Sequence, residues 1–426
     1  MKSFVATVVA LMMLGSFARA DDEAAPAPAV VDPPSEPPPP APIVAPPAPA
    51  PAPLETLPPL PAPPAISDRA ASRNFAGSVQ LDYLQLVRRT TTPDKAFAGP
   101  TVELSLKLAM DLGDHVTANV KVCYACHGFE VGMAYFDLRA NDELNVRVGR
   151  FSPAFGSFPL RHDPANHSTS DKPLAYDMGR MVRFRDWNEG ILPAPYVDNG
   201  VEINGSHSFG PTQLDYAAYA MAGPKGNPNN FDFDFTRSRS GEAYYVDNNS
   251  EPMVGARVSL NIDLARRRNL TIGGSAMAGH YDDAAALRFS IVGGDATLQL
   301  GRTFVRAEYL ARWTHFAPRP DPEAQLKFGP GANGIYSTFI FKDAFDVEAE
   351  HPIGRVSLIG RVDGLRRRGN VLADSMLSNY STVVRVTAGV AIRLVSTLQL
   401  KTSVERYIFN DFADETAIHL GIAGPF

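Results

Sequence analysis

Thr101-Val102-Glu103-Leu104-Ser105-Leu106-Lys107-Leu108-Ala109-Met110-Asp111-Leu112 decides the fold. Val102, Leu104, Leu106, Leu108, Met110 and Leu112 share one face, while Thr101, Glu103, Ser105, Lys107 and Asp111 share the other. A period of two over twelve residues is a strand with unlike faces, and about ten residues suffice for a tilted strand to cross a bilayer. Gly113-Asp114 turns the chain, and Val116, Ala118, Val120 and Val122 resume the apolar face.

Working outward, similar alternation recurs from 75–88 to 415–426, giving about sixteen segments, the weakest being 197–209 and 333–351. Short turns at Gly113-Asp114, Asn141-Asp142, Gly210-Pro211, Arg268-Asn269, Gly301, His351-Gly354 and Val395-Ser396 alternate with connections that are mostly longer, among them 89–98, 152–196, 224–251, 316–332 and 368–379. Tight turns at one end and long loops at the other characterise outer-membrane barrels. A soluble sandwich has shorter strands and needs no such asymmetry. No repeat period supports a solenoid. The expected fold is therefore all-β: a transmembrane antiparallel β-barrel of about 16 strands, preceded by a disordered Pro-rich extension. Ile418, Leu420, Ile422 and Phe426 close the final strand on one face, as the C-terminal assembly signal of such barrels does.

The N-terminal part differs in kind. Lys2, the apolar run Phe4–Gly15 and Ala18-Arg19-Ala20 form a cleavable secretory signal, assigned to residues 1–20. Of the 37 prolines, 19 lie between Pro26 and Pro64, so residues 21–70 are expected as a solvated, polyproline-like periplasmic extension. At about 3.1 Å per residue it reaches far enough to meet the cell wall or a periplasmic cytochrome. Residues 71–426 are assigned to the barrel. The expected location is the outer membrane of a Gram-negative bacterium. Without Lys2 and Arg19, 38 basic residues face 46 acidic ones, and no basic surplus suggests nucleic acid. After the signal no run of 18 apolar residues offers a helical anchor.

One stretch carries a family resemblance. Leu144-Asn145-Val146-Arg147-Val148-Gly149-Arg150-Phe151-Ser152-Pro153-Ala154-Phe155-Gly156 ends an alternating strand in a Gly-Arg-Phe…Pro-Ala-Phe-Gly element before a long loop, and Asp198-Asn199-Gly200-Val201-Glu202-Ile203 re-enters the barrel. In these elements the chain resembles the phosphate-selective (porin O/P-like) porins. The resemblance implies sixteen strands, a periplasmic N-terminal extension, a loop folded into the pore, passage of small polar or anionic solutes and a homotrimer in outer-membrane lipid. Phosphate preference in that family depends on lumenal Arg and Lys clusters. Here Lys107, Lys121, Arg147, Arg257, Arg306, Arg312, Arg393 and Lys401 are offset by Glu103, Asp111, Asp263, Glu308 and Glu405. Interspersed carboxylates cancel much of a positive ring's field. Arg180, Arg183 and Arg185 in the long loop are the candidate constriction.

Both cysteines of the chain lie in Cys123-Tyr124-Ala125-Cys126-His127, the Cys-x-x-Cys-His signature of covalent c-type haem attachment. Cys123 and Cys126 would form thioethers and His127 would bind the iron, supporting electron transfer near the outer side. His162 and His167 are sixth-ligand candidates, with Met178 and Met181 in the same loop. Because residues three apart on a strand point to opposite faces, this segment must turn. The alternatives are a plain porin with a Cys123–Cys126 disulfide and, more remotely, a redox dithiol. A non-conducting barrel tethered to the wall is a third functional class. His162-Asp163…His167-Ser168 contains the residue types of a hydrolase triad, but neighbours in one loop rarely converge as a triad must. With no G-x-S-x-G element, no enzyme activity is expected.

Overall fold

The structure is a computed structural model, and it describes residues 73–87, 99–125, 128–177, 190–226, 231–239 and 246–426. The signal, the Pro-rich extension and the constriction candidates Arg180, Arg183 and Arg185 lie outside the described residues.

Sixteen strands close into one barrel, each hydrogen-bonded to its sequence neighbours, with the first paired to the last. They are β1 (Arg73–Leu86), β2 (Gly99–Gly113), β3 (Val116–Ala125) and β4 (Gly128–Asn141). Then come β5 (Leu144–Phe151), β6 (Asp198–Phe209), β7 (Thr212–Met221) and β8 (Met253–Ala265). β9 (Arg268–His280), β10 (Arg288–Leu300), β11 (Thr303–His315) and β12 (Phe339–Ile353) follow. β13 (Val356–Arg368), β14 (Tyr380–Val395), β15 (Leu398–Phe409) and β16 (Glu415–Pro425) complete the wall. Both weak segments are strands, although β12 begins at Phe339 rather than 333 because residues 329–338 belong to the preceding loop.

Closure leaves no sheet edge, and the C-terminal residue takes part in it. Gly77 and Phe426 exchange two main-chain hydrogen bonds, of 2.9 and 3.0 Å. The Phe426 ring lies over Gly77, where any Cβ would collide with it. On the outer wall alternate residues such as Val102, Val148, Val258, Ile272, Val362 and Val404 stand exposed. A closed barrel wrapped in apolar side chains satisfies every strand hydrogen bond internally and presents hydrocarbon to lipid. The chain is an outer-membrane β-barrel.

The opposite face of each strand points into the lumen. Its residues are polar and charged, yet many are fully buried, among them Arg312, Arg361, Arg385 and Lys401. Residues 152–177 and 190–197, from the connection between β5 and β6, cover them from inside the barrel.

Candidate functional site: a loop-filled, charge-paired lumen

The inward course of the loop starts at a glycine. Gly156 has φ +66, and an added Cβ would overlap the Tyr176 hydroxyl and a Glu308 carboxylate oxygen. The chain turns sharply here against the far wall. Gly156 N donates to Ser275 Oγ of β9 at 3.0 Å, and Ala154 N donates to Glu202 of β6 at 3.1 Å. Glu308 of β11 accepts from the Ser157 amide, the Ser157 hydroxyl and the Phe158 amide at 2.9, 3.0 and 3.3 Å. One lumenal carboxylate thus satisfies the free amides opening the short 3₁₀ turn Phe158–Arg161.

The tip of the loop is held by the opposite wall. Arg361 of β13 donates to Thr169 Oγ1 and to the Asp171 carbonyl, each at 3.0 Å. Arg385 of β14 donates to the Lys172 carbonyl at 2.6 Å, and Leu174 N donates to Asp363 of β13 at 2.8 Å. Lys401 of β15 donates to the Pro164 carbonyl. On the return, Arg312 of β11 donates to the Ile191 carbonyl at 3.3 Å. Between these anchors Phe158 stacks on Tyr176 with ring centroids 5.3 Å apart, inside a cluster with Phe155, Leu174 and Ile191. Burying these rings stabilises the folded-in loop by about 1.5–3 kcal/mol each. Another outer segment also docks: Asp232, between β7 and β8, lies 2.9 Å from both Arg312 and Lys342. Burial alone would raise its carboxyl pKa, but those two cations hold it well below the ordinary range.

Several lumenal arginines are paired with carboxylates. Arg257 meets Asp295 at 2.6 Å, Arg147 meets Asp137 and Glu202 at 2.9 and 3.4 Å, and Arg306 meets Glu348 and Glu350 at 3.1 and 3.2 Å. Of the lumenal positions expected from sequence, Lys121, Arg147, Arg257, Arg306, Arg312, Lys401, Glu308 and Glu405 sit on the wall as anticipated, whereas Arg393 is exposed at a turn. Sequence reading passed over Arg361, Asp363, Arg385, Glu348 and His419. All five are buried, and their period-two spacing with known lumenal neighbours was the available signal. On the turn side of the loop a cavity of about 630 Å³ remains, lined by Asn119, Asp137, Arg147, Glu202, Asp215 and Arg257 among others.

Asp171, Glu405 and His419 have the donor set of a small metal site. Arg385, however, lies 3.5 Å from Asp171 and 3.3 Å from Glu405, so the chain itself supplies the positive charge these carboxylates require. The cluster works as an anchor for the loop tip.

The haem signature is only partly within view, since Cys126 and His127 lie outside the described residues. The disulfide alternative is corrected: Cys123 is a free thiol. It lies in β3 opposite Glu130, on the lumenal face it shares with Lys121, and its Sγ packs over Gly132, 3.0 Å from where a Cβ would stand. The β3–β4 register shifts here, leaving Gly132 unpaired, and the thiol packs onto that neighbouring strand rather than along its own. For a haem, the free thiol meets one requirement. The other requirement is a turn between the two cysteines, and β3 stays extended through Ala125, which pairs with Gly128.

His162 is the candidate ligand that approaches this strand. Its Nε2 accepts from Lys121 Nζ at 3.0 Å, and its Nδ1 donates to the Pro159 carbonyl at 2.5 Å. Burial, reinforced by the Lys121 charge, pushes its pKa down to about 3, so the ring is neutral. His167 is likewise lowered, by burial and then by Lys401, Lys172 and Arg161. Its Nδ1 bonds the Thr169 carbonyl at 2.7 Å. Ser168 donates to Glu350 at 2.7 Å, away from either histidine, so the triad residue types do not converge.

No family model matches the chain, and no curated protein matches it in sequence. Similar solved structures include OmpF of Salmonella typhi, in a complex with daunomycin (TM-score 0.51, 9% identity, covering 83% of this chain and 97% of that one). OprB of Pseudomonas putida gives 0.51 at 8% identity, covering 83% and 94%. The outer membrane channel DcaP of Acinetobacter baumannii gives 0.50 at 12% identity, covering 84% and 99%. At these identities the likeness is one of fold.

Proposed function

We propose that the chain is an outer-membrane porin passing small polar or ionic solutes through a lumen narrowed by the β5–β6 loop, through its residues 152–177 and 190–197. The observation that carries this reading is the loop itself: it leaves the wall at β5, crosses the barrel and is hydrogen-bonded to β9, β11, β13, β14 and β15. A strut of this kind reduces the cross-section without sealing the cavity on the turn side. Ion pairing of lumenal arginines among the described residues supports weak charge selectivity rather than a phosphate-preferring site, because the paired carboxylates cancel much of their field. The test is the reversal potential of the full chain in a planar bilayer under a KCl gradient. A value close to zero agrees with the paired lumen; a potential near the chloride limit would restore the anion-preferring alternative.

A second reading adds a covalent c-type haem on Cys123 and Cys126 with His127 at the iron. The free thiol of Cys123 favours it, since each thioether consumes a thiol. Attachment requires the Ala125–Gly128 pair to open, so that both thiols reach one haem edge. The bound group would supply one-electron transfer near the outer side. Expression in a host with a haem-attachment system decides: pigment retained after denaturation, with one haem of added mass lost in Cys123→Ser/Cys126→Ser, supports the haem. A colourless protein of unmodified mass rejects it.

A further inference from the structure

The turn end of the barrel is electrostatically lopsided. Four successive short turns, β8–β9, β10–β11, β12–β13 and β14–β15, carry Arg266, Arg267, Arg302 and Arg355, with Arg268 and Arg393 at the adjoining strand ends, all six exposed. Residues 264–268, 300–303, 353–356 and 393–398 contain no carboxylate. Among the described residues none of these six guanidinium groups pairs with an acid, in contrast to the arginines of the lumen. On the other side of the rim, Arg139 is paired with Asp142, Glu143 with His207, and Asp114 lies in the β2–β3 turn.

The basic turns are held in register. Gly301 N donates to the Arg267 carbonyl and Arg393 N to the Arg355 carbonyl, both at 2.8 Å. Neighbouring strands lie about 4.8 Å apart, so successive turns present positive charge about every 10 Å along an arc. Apolar side chains accompany them: Leu264, Leu300, Ile353 and Val395 are exposed within or beside the same turns. Arg268 is paired directly across from Leu300, at the lower end of the lipid-facing wall.

We propose that this rim, from β8 to β15, binds the phosphate groups of anionic phospholipids in the periplasmic leaflet. Continuity with the apolar wall favours lipid over a soluble acidic partner. Leu264, Leu300, Ile353 and Val395 reach the acyl region while the neighbouring guanidinium groups meet the headgroups, where each basic residue gains Coulomb attraction. The opposite rim lacks the charge, so the bound lipid forms a crescent rather than a ring. The inference rests on the membrane placement of the barrel and is independent of whether the pore conducts.

The test is the association of spin-labelled phosphatidylglycerol and phosphatidylcholine with the full chain reconstituted in phosphatidylcholine vesicles. The wild-type protein should prefer phosphatidylglycerol about fivefold at low salt, the factor one basic residue contributes at such a surface. The preference should collapse in 1 M NaCl, where screening acts within about 3 Å. Replacing all six arginines by Gln should bring it close to unity, whereas Arg139→Gln should leave it unchanged. Equal association of both lipids with the wild-type protein would overturn the proposal, as would a preference that survives the six substitutions. The salt arm needs no variant: a preference that persists in 1 M NaCl overturns the proposal even if the substituted chain fails to assemble.

Discussion

His419 Nε2 lies 2.9 Å from Asp171 Oδ2, and both side chains are fully buried. His419 belongs to the last strand and Asp171 to the tip of the lumenal loop, so this contact ties the closing seam of the barrel to the element inside it. Asp82 of β1 faces the other imidazole nitrogen at 3.1 Å. Nδ1 is hydrogen-bonded to Asp82, and Nε2 lies within ion-pair distance of Asp171, so the ring sits between two carboxylates. Arg385 completes the set, 2.5 Å from Asp363 and 3.3 Å from Glu405.

Removing one member of such a network leaves the remaining buried charge uncompensated, at about 3–5 kcal/mol. Asp171→Ala should therefore undock the loop tip while the barrel, whose strand pairs do not use Asp171, still assembles. Limited proteolysis in detergent should cut near residues 165–175 much faster than in the wild-type protein. Asp171→Asn keeps the shape and one acceptor, so its effect should be smaller. Equal cutting of all three proteins would show that the network does not hold the loop.

Gly156 offers a purely steric test. An added methyl meets Tyr176 and Glu308, and the backbone there has φ +66, which side chains disfavour. Gly156→Ala should cost about 2 kcal/mol or more and loosen the same loop. Gly301→Ala, at φ +64 with open space around it, is the control for backbone strain alone. A lowered urea midpoint for Gly156→Ala beyond that of Gly301→Ala is the expected result.

The neutral His162 gives the docked loop a pH dependence. An unfolded histidine titrates near 6.5, whereas His162 in place is pushed down to about 3. Between those values the undocked state binds more protons, so docking weakens as pH falls from about 6.5 toward about 3 and is insensitive to pH above that window. Proteolytic protection of the loop should decline between pH 7 and pH 4, and His162→Gln should flatten the decline. His167, also lowered by burial, will leave a residual slope.

Much of this architecture is legible in the sequence because strand alternation is local. The pattern at Val102–Leu112 assigns a lipid face and a lumen face without reference to any partner, and the same holds for most of the other strands, with β6 and β12 the weakest. The charge balance of the lumen follows from it too. What the sequence does not display is pairing at a distance. His419 looks like an isolated polar residue on the last strand until the barrel closes against Asp82 and the loop brings in Asp171. Glu308 shows no sign of serving as the cap for Ser157 and Phe158. The haem signature illustrates the reverse case: a short motif is visible at once, yet its meaning depends on whether the hairpin around Cys123 stays as tightly paired as Ala125–Gly128 makes it.

Single-channel conductance of the wild-type chain beside a variant lacking residues 165–190 tests the central claim most directly. A constriction dominates pore resistance, so a wild-type protein that conducts and a deletion that conducts severalfold more, with the barrel intact by heat-modifiable migration, is the result expected of a porin narrowed by its own loop. An intact wild-type barrel that passes no current, or a deletion whose conductance equals the wild-type value, would contradict it.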